Sequence, residues 1–322
     1  MGVLILDGRT AVTAAAEATE LCLTVVIPSL FPFFVLSSLL TVSGAGLLSP
    51  VLCRCGVPRG MEALCLTGLL GGFPVGAQMV GQACKDGRLD AFQGRTLLGI
   101  CNQAGPAFLF GVVAPLFSSP AVGGALWGIQ LLAALLTGAL LVGRNGDAAC
   151  RKAAPAPLSR QLPGWIRSLS YVCAWVILFR VVLAFLEKWG LRLLPEPVQL
   201  LAAGLVELTN GCMGLARCPS EVSRFLLAGV MLGCGGGCVL MQTYSLAAEA
   251  GLAMGPYLWE KAMQTGLQLT LCSAAAPFLF PQAGAPGQAA VRTAVYSLLP
   301  AIIFLIRKIT VAKQPRLVYN KG

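Results

Sequence analysis

The chain of 322 residues is 57% hydrophobic and only 11% charged, and its formal net charge is +10. Soluble globular domains carry about 25% charged residues, so the composition excludes that class and predicts a polytopic membrane protein. The Lys and Arg residues gather in short loops and at the C-terminus, a distribution typical of membrane topology. We therefore expect a lipid bilayer as the surrounding partner and no binding of nucleic acid.

Residues 9–27 predict an amphipathic helix that lies in the membrane interface and turns into the bilayer at Pro28. An apolar, aromatic segment follows to about residue 43. The N-terminus lacks the basic region and compact apolar core of a cleavable signal peptide. We assign residues 1–143 to an N-terminal membrane half.

Two apolar segments of this half, at about 62–83 and 96–117, are each interrupted by residues that break helices. The first contains Gly71-Gly72-Phe73-Pro74, and the second contains Asn102-Gln103-Ala104-Gly105-Pro106. A proline inside a helix removes a backbone hydrogen bond and clashes with the preceding turn. In lipid, the freed backbone groups must find partners in protein or in a watery cavity. Paired breaks of this kind indicate the binding site of a transporter.

The remainder of the chain predicts a linker and a second membrane half. An uninterrupted span at 121–143 is followed by a linker at 144–167, with five basic residues and three prolines. The second half covers 168–309, with predicted spans at 168–190, 198–216, 222–247, about 258–281 and 289–306, and 310–322 form a basic tail. In total we predict an all-α membrane protein with about eight or nine hydrophobic helices.

Charge places the N-terminus, the 84–95 loop and the linker on the cytoplasmic side. Five full spans after the linker would leave the basic tail outside, whereas we expect the tail inside. One segment is therefore expected to be re-entrant or interfacial. The candidates are the segment around Trp259-Glu260-Lys261 and either broken helix.

The two halves look related. GLLGGFPVG at 68–76 matches GLVELTNGC at 204–212 in position, and LLGICNQAGPAFLFG at 97–111 matches LLAGVMLGCGGGCVL at 226–240. Each pair follows an aromatic-rich span. Such repeats are common in secondary transporters, with the site between the halves. The alternative is a chance match between two glycine-rich membrane segments.

Glu207 is a carboxylate within an apolar run. A charge at the bilayer centre costs about 2.5–3.5 kcal/mol on insertion scales, so the side chain must face a cavity, a partner or a solute. One interpretation is a site for a coupling ion, a proton or a solute. The other is a structural pair with Arg180, and the sequence leaves both open.

Neutral polar side chains at the breaks are the other candidates for binding. The amides of Asn102 and Gln103 suit a solute, but they equally suit the backbone carbonyls that a break exposes. Gln78 follows Pro74 by one turn, and we expect it near the first break. Thr209 and Asn210 are expected in the matching place of the second half.

Cofactor and enzyme signatures are absent from the sequence. It has thirteen cysteines and no histidine, and the close pairs Cys53/Cys55 and Cys234/Cys238 lack the second pair that a metal knuckle requires. We interpret the cysteines mainly as apolar packing residues. There is also no phosphate-binding GxxxxGK[ST] loop and no HExxH. We expect no metal, no cofactor and no enzymatic activity.

In this order, PSLFPFFVLSSLL, GLLGGFPVGAQMVGQACKDGRL, LLGICNQAGPAFLFGVV and GLVELTNGC resemble the YlbJ-type family of sporulation integral membrane proteins, over roughly residues 20–245. That family is similar to a wider group with a nucleoside-recognition or Gate domain. The resemblance implies a multi-pass protein of the cytoplasmic or forespore membrane that serves spore formation. Residues on the family's motif positions are Phe73, Pro74, Gly76, Asn102, Gly105, Pro106, Glu207, Thr209 and Gly211. Phe73 stands where tyrosine is expected, and Gln78 stands where lysine is common.

Together these observations predict a transporter or permease-like module for a small nucleoside-like solute or an ion. The predicted substrate-binding set is the nine motif residues together with Gln78, Gln103 and Asn210. The alternative is a membrane scaffold without transport that recruits partners for assembly of the spore cortex or coat. Further partners implied are a second copy of the chain or other sporulation membrane proteins.

Overall fold

The computed structural model describes residues 7–28, 30–32, 45–142 and 158–281. All the elements in these ranges are helical, which confirms the predicted all-α class. The predicted span at 289–306, the tail, most of the 28–43 segment and the first part of the linker lie outside the described residues. The count of eight or nine hydrophobic helices therefore stays a prediction.

The helices are numbered α1 to α13 in chain order, and short 3-10 turns lie between some of them. They are α1 Gly8–Leu21, α2 Ser49–Arg54, α3 Glu62–Gly71, α4 Val75–Lys85, α5 Ala91–Cys101, α6 Pro106–Phe108, α7 Pro120–Val142, α8 Leu158–Trp189, α9 Glu196–Val206, α10 Leu208–Gly214, α11 Glu221–Cys234, α12 Gly236–Glu249 and α13 Met254–Leu279. α8 begins within the segment that the sequence predicts as linker.

Within the described residues, four stretches are long and apolar enough to cross a membrane. They are Ala91–Leu116, Pro120–Leu141, Leu162–Trp189 and Glu221–Glu249. The first joins α5 to α6 across a break, and we call it broken helix A. The last joins α11 to α12 across a second break, and we call it broken helix B. Large apolar side chains such as Leu178 and Phe278 are exposed on the surface, as expected of surfaces that face lipid.

The N-terminal helix lies along α8, in contrast to the interfacial position that its amphipathic pattern predicts. Ala14, Ala18 and Cys22 recur every fourth residue and are buried, and Ala18 and Cys22 share an apolar cluster with α8. Small residues at this spacing let two helices approach closely. The helix also continues through Pro28 instead of turning there, after a π-helical turn at Cys22–Val26.

Contacts at the two ends show that α1 and α8 run antiparallel. Asp7 at the start of α1 is paired with Lys188 at the end of α8, and this hydrogen bond lowers the pKa of the Asp7 carboxyl below its usual value. At the other end, Leu30 packs on the cluster that contains Trp165. The start of α1 and the linker end of α8 are therefore on opposite sides of the helical layer, although the sequence predicts the N-terminus and the linker on the same side.

Two pairs of short helices fold back on themselves. A Cβ added at Gly68 in α3 would lie 3.2 Å from the Cα of Gly76 in α4, although residues eight apart in one helix are about 12 Å apart. A Cβ added at Gly211 in α10 would overlap the Cα of Gly204 in α9. We call α3–α4 hairpin A and α9–α10 hairpin B.

One carboxylate ties three helices together near the linker. Glu249, at the end of α12, accepts a hydrogen bond from the Tyr171 hydroxyl at 2.7 Å. It also pairs with Lys85 at 2.8 Å and with Arg167 at 3.4 Å. Since Lys85 ends α4 and the other two side chains belong to α8, hairpin A begins and ends on the linker side.

Candidate functional site

The tip of hairpin A packs directly on the break in broken helix A. A Cβ added at Gly72 would overlap the backbone nitrogen of Gly105, and one added at Gly105 would lie 3.1 Å from the carbonyl oxygen of Gly71. Gly72 also has φ +73°, a conformation that glycine adopts at no steric cost. Nearby, a Cβ at Gly76 would lie 2.6 Å from the Cys101 carbonyl oxygen. A side chain at Gly72 or Gly76 would therefore collide with the second segment, so this contact requires glycine at both positions.

The tip of hairpin B meets the break in broken helix B in the same manner. Gly235 ends α11 in the left-handed conformation, which interrupts the helix for one residue. A Cβ added at Gly236, whose φ is +72°, would lie 2.6 Å from the carbonyl oxygen of Gly204 and 3.4 Å from the backbone nitrogen of Leu208. Each hairpin tip is thus in contact with the break that follows it in the chain.

Phe73 joins these two groups of contacts. It precedes Pro74 at the tip of hairpin A, and a Cβ added at Gly235 would lie 3.4 Å from its Cζ atom. The ring centroid is 5.6 Å from the Nζ atom of Lys261 on α13. The ring therefore extends from the tip of hairpin A to the break in broken helix B and to α13.

Asn102 is fully buried at the first break, and both polar atoms of its side-chain amide are hydrogen bonded. Its Oδ1 accepts from the backbone N–H of Ala77 at 3.3 Å. Its Nδ2 donates to the hydroxyls of Thr243 at 2.9 Å and Tyr257 at 3.0 Å. The side chain thus connects hairpin A, α12 and α13.

Gln103 replaces backbone donors that the break removes. In a continuous helix the N–H groups of residues 103 and 104 would bond to the carbonyls of residues 99 and 100. Here the Gln103 Nε2 donates to those oxygens, at 2.8 Å for Gly99 and 3.1 Å for Ile100. Its amide also forms two hydrogen bonds with the amide of Gln264, at 2.6 and 3.1 Å. The carbonyl of Ala104 accepts from Gln130 at 3.0 Å.

Lys261 satisfies the carbonyl of Asn102. In a helix this oxygen would accept from residue 106, but Pro106 has no N–H. The Lys261 ammonium donates to it at 2.9 Å, and to the side-chain oxygens of Gln103 and Gln264 at 3.0 Å each. Lys261 is only 2% exposed. Gln103 therefore bonds carbonyls that the break exposes, whereas the Asn102 side chain bonds neighbouring helices. A role of either amide in solute binding stays a prediction.

Glu207 is the N-cap of α10. Its carboxylate accepts from the backbone N–H groups of Thr209 at 3.0 Å and Asn210 at 2.7 Å, and from the Asn210 side chain at 2.7 Å. Arg180 instead binds Glu17 at 2.8 Å. The structural pair between Glu207 and Arg180 is therefore wrong: the carboxylate is stabilised by the donors of its own hairpin.

The structure brings most of the predicted site residues together, in two groups. Phe73, Pro74, Gly76, Asn102, Gln103, Gly105 and Pro106 form the contact between hairpin A and its break. Glu207, Thr209, Asn210 and Gly211 lie in hairpin B. Gln78 is different, because its Nε2 would be 3.4 Å from a Cβ added at Gly164, so it faces the start of α8.

Sequence reasoning missed the face of α13 that meets these breaks. Lys261, Gln264 and Gln268 recur at intervals of three and four residues, so they share one face of the helix, and all three are buried. The sequence suggests a re-entrant or interfacial segment around Lys261, whereas α13 is one continuous helix of 26 residues. The spacing of its polar residues is the feature that could have identified this face.

Gln268 differs from its neighbours because neither polar atom of its side chain has a hydrogen-bond partner. The side chain is 0% exposed and lies against α11, where a Cβ at Gly233 would be 3.1 Å from its Oε1. Gly233 is two residues before the break at Gly235. A buried, unbonded amide is costly, by about 1–3 kcal/mol for each unsatisfied group, and such a group calls for an explanation.

Other observations concern metals and clefts. Among the described residues, no group of three or more Cys, Asp or Glu side chains could hold a metal ion, and the absence of cofactors stays a prediction.

A cleft of about 600 Å³ lies away from the breaks, between α1 and the end of α8. Its charged lining residues are Arg9, Glu17, Arg180, Glu187, Lys188 and Arg192.

Comparison with known proteins supports the motif-based assignment. The sporulation integral membrane protein YlbJ of Bacillus subtilis (strain 168) is 25% identical to this chain, and the match covers 74% of this chain and 71% of that protein. This match confirms the resemblance to the YlbJ-type family. No family model matches the chain, and no solved structure matches it. Together with the apolar helices, the match supports a multi-pass membrane protein.

Proposed function

We propose that this YlbJ-type membrane protein serves spore formation as a permease-like module for a small solute, in the cytoplasmic or forespore membrane. The observation that best supports this proposal is the unbonded, fully buried amide of Gln268 beside the break in broken helix B. Broken helices within a membrane are the usual place of transporter binding sites. An amide there supplies both donors and an acceptor for a nucleoside-like solute.

The proposal includes two related halves, each with one hairpin followed by one broken helix. The matching contacts of Gly72 with Gly105 and of Gly236 with Gly204 support this repeat. Hairpin A begins and ends on the linker side, near Glu249. Hairpin B follows the far end of α8, so it would enter from the opposite face. This arrangement favours an inverted repeat over a parallel one.

The same arrangement accounts for the basic tail. If hairpin B does not cross the bilayer, and if α13 crosses it although it is less apolar than the four stretches named above, the second half crosses with α8, broken helix B, α13 and the predicted span at 289–306. Four crossings return the chain to the side where it started. The tail would then lie with the linker on the cytoplasmic side, as its positive charge predicts.

In the proposed mechanism, solute reaches the polar face of α13 between the two breaks. Gln268 supplies unused hydrogen-bonding groups, whereas the side chains of Asn102, Gln103 and Lys261 already have hydrogen-bond partners within the protein. A solute would therefore bind first at Gln268 and would exchange bonds at the first break only as one half moves against the other. Such rocking around a fixed site is the general scheme of alternating access.

Thermal stabilisation of the purified protein in detergent tests this proposal. The panel consists of nucleosides, nucleobases, amino acids and divalent cations, because a ligand that binds only the folded state raises its stability. We expect a saturable increase of Tm with one class, lost in Gln268→Leu and kept in Gln82→Leu. Gln82 is a matched control because it lies exposed on α4, bonded to Asp86 at 2.7 Å. If no compound shifts Tm, or if Gln268→Leu responds like the native chain, the site is elsewhere.

The second candidate is a scaffold without transport. It is favoured by the mutual bonding of the polar groups at the first break and by the charged cleft between α1 and α8. A scaffold would depend on its exposed segments more than on Gln268. Scrambling residues 144–157 with their charge retained would then abolish sporulation, while Gln268→Leu would leave it intact. The permease proposal predicts the reverse pattern.

A further inference from the structure

The environment of the Lys261 ammonium has the composition of a cation-binding site. Three oxygens without formal charge surround it, the Asn102 carbonyl at 2.9 Å and the side-chain oxygens of Gln103 and Gln264 at 3.0 Å. The ring centroids of Phe73 and Tyr257 are 5.6 and 5.7 Å away. Aromatic faces within about 6 Å attract a cation, and carbonyl-type oxygens can replace a cation's hydration shell.

Charge neutralisation by a direct ion pair does not explain this lysine. Among the ion pairs between described residues, none involves Lys261. The side chain of its neighbour Glu260 lies against Gly99 instead, where it would overlap an added Cβ. A buried charge is usually held by an opposite charge or by backbone carbonyls. Here every hydrogen-bond partner of the ammonium is a neutral oxygen, and Glu260 acts on it through space without a direct contact.

We propose that these three oxygens and two rings form a monovalent-cation site, which the chain fills with its own lysine ammonium. In transporters, carbonyls of unwound helix segments coordinate the coupling cation. Lys261 occupies that position permanently because it is covalently attached. The consequence, which rests on the proposed function, is that solute movement would need no external alkali cation. The cation site itself requires no solute for its test, so the two proposals can fail separately.

The test is chemical rescue of the Lys261→Ala variant. Alanine retains Cβ, so n-propylammonium has the missing three carbons and the ammonium group. We expect Lys261→Ala to have a lower Tm than the native chain, and n-propylammonium to raise it saturably by several degrees. 1-Propanol, which has the same length and no charge, should give no such increase. Lys261→Met, whose side chain fills the space, should not be rescued.

Two controls complete the rescue experiment. Lys85→Ala removes a lysine that is exposed at the end of α4, and its Tm should not respond to n-propylammonium. Potassium and ammonium ions should stabilise Lys261→Ala more than tetramethylammonium, whose methyl groups keep its charge away from the three oxygens. Equal responses to n-propylammonium and 1-propanol, or no response in a folded variant, would overturn the proposal.

A second pair of variants applies if Lys261→Ala does not fold. Gln264→Leu keeps the lysine but removes one oxygen, and Gln264→Glu offers a charged oxygen of nearly the same shape. A cation site predicts that Gln264→Leu lowers Tm and that Gln264→Glu keeps or raises it. If Gln264→Glu lowers Tm as much as Gln264→Leu, the site does not prefer a cation, and the proposal is wrong.

Discussion

Replacement of Glu207 separates its structural role from any role in solute binding. The Glu207→Ala variant loses three accepted hydrogen bonds, two of them from backbone N–H groups at the start of α10. An N-cap is worth about 0.5–2 kcal/mol, and each buried donor left without a partner costs about 1–3 kcal/mol. Water can still reach the half-buried Thr209 and Asn210. We therefore expect the free energy of unfolding to fall by about 2–4 kcal/mol, near the lower end of these contributions taken together.

The Glu207→Gln variant keeps one side-chain oxygen, and we expect it to retain the bond to Asn210 and to lose only about 1–2 kcal/mol. The assay is equilibrium unfolding in mixed detergent micelles, followed by helical circular dichroism. A loss below about 0.5 kcal/mol for Glu207→Ala would refute the cap as the reason for this buried carboxylate. If Glu207→Gln is stable but sporulation fails, the carboxylate has a function beyond the cap.

Two further predictions concern packing and topology. Gly211→Ala should destabilise hairpin B by at least about 2 kcal/mol, because its methyl group overlaps Gly204. The control Gly124→Ala has open space around it and should be neutral or slightly stabilising. Similar unfolding midpoints for the two variants would contradict the close contact. A protease-sensitive tag placed before Asp7 should be cleaved from the face opposite to a tag inserted at residue 150, and cleavage of both from one face would contradict the antiparallel arrangement of α1 and α8.

The sequence predicts where the helices break better than it predicts which residues contact the breaks. Glycine and proline have local backbone effects, so Gly72 and Gly105 mark their break whatever surrounds them. Lys261 and Gln264 reach the same break from about 160 residues away in the chain. The local sequence pattern carries no information on such a distant contact. The hydrogen bonds of the Gln103 amide depend on this contact, so they could not be predicted.

The position of α1 illustrates a different difficulty. An amphipathic helix with charges on one face suits a membrane surface and the side of another helix equally well. The stripe of Ala14, Ala18 and Cys22 favours a helix partner. The charge of Glu17 argues against such a partner in the sequence, but in the structure Glu17 pairs with Arg180 of α8 at 2.8 Å. Charge alone places the N-terminus with the linker, and it carries no information on the antiparallel contact of α1 with α8.

The location of Phe73 has a consequence for cooperativity. One aromatic ring packs against the backbone of the second break and also lies above the ammonium that holds the first. Packed interiors tend to have a few discrete arrangements rather than a continuous range. Displacement of hairpin A therefore removes a neighbour from Gly235 and from Lys261 at the same moment. We therefore expect the two breaks to rearrange together, so that a change at one break reaches the other through this ring.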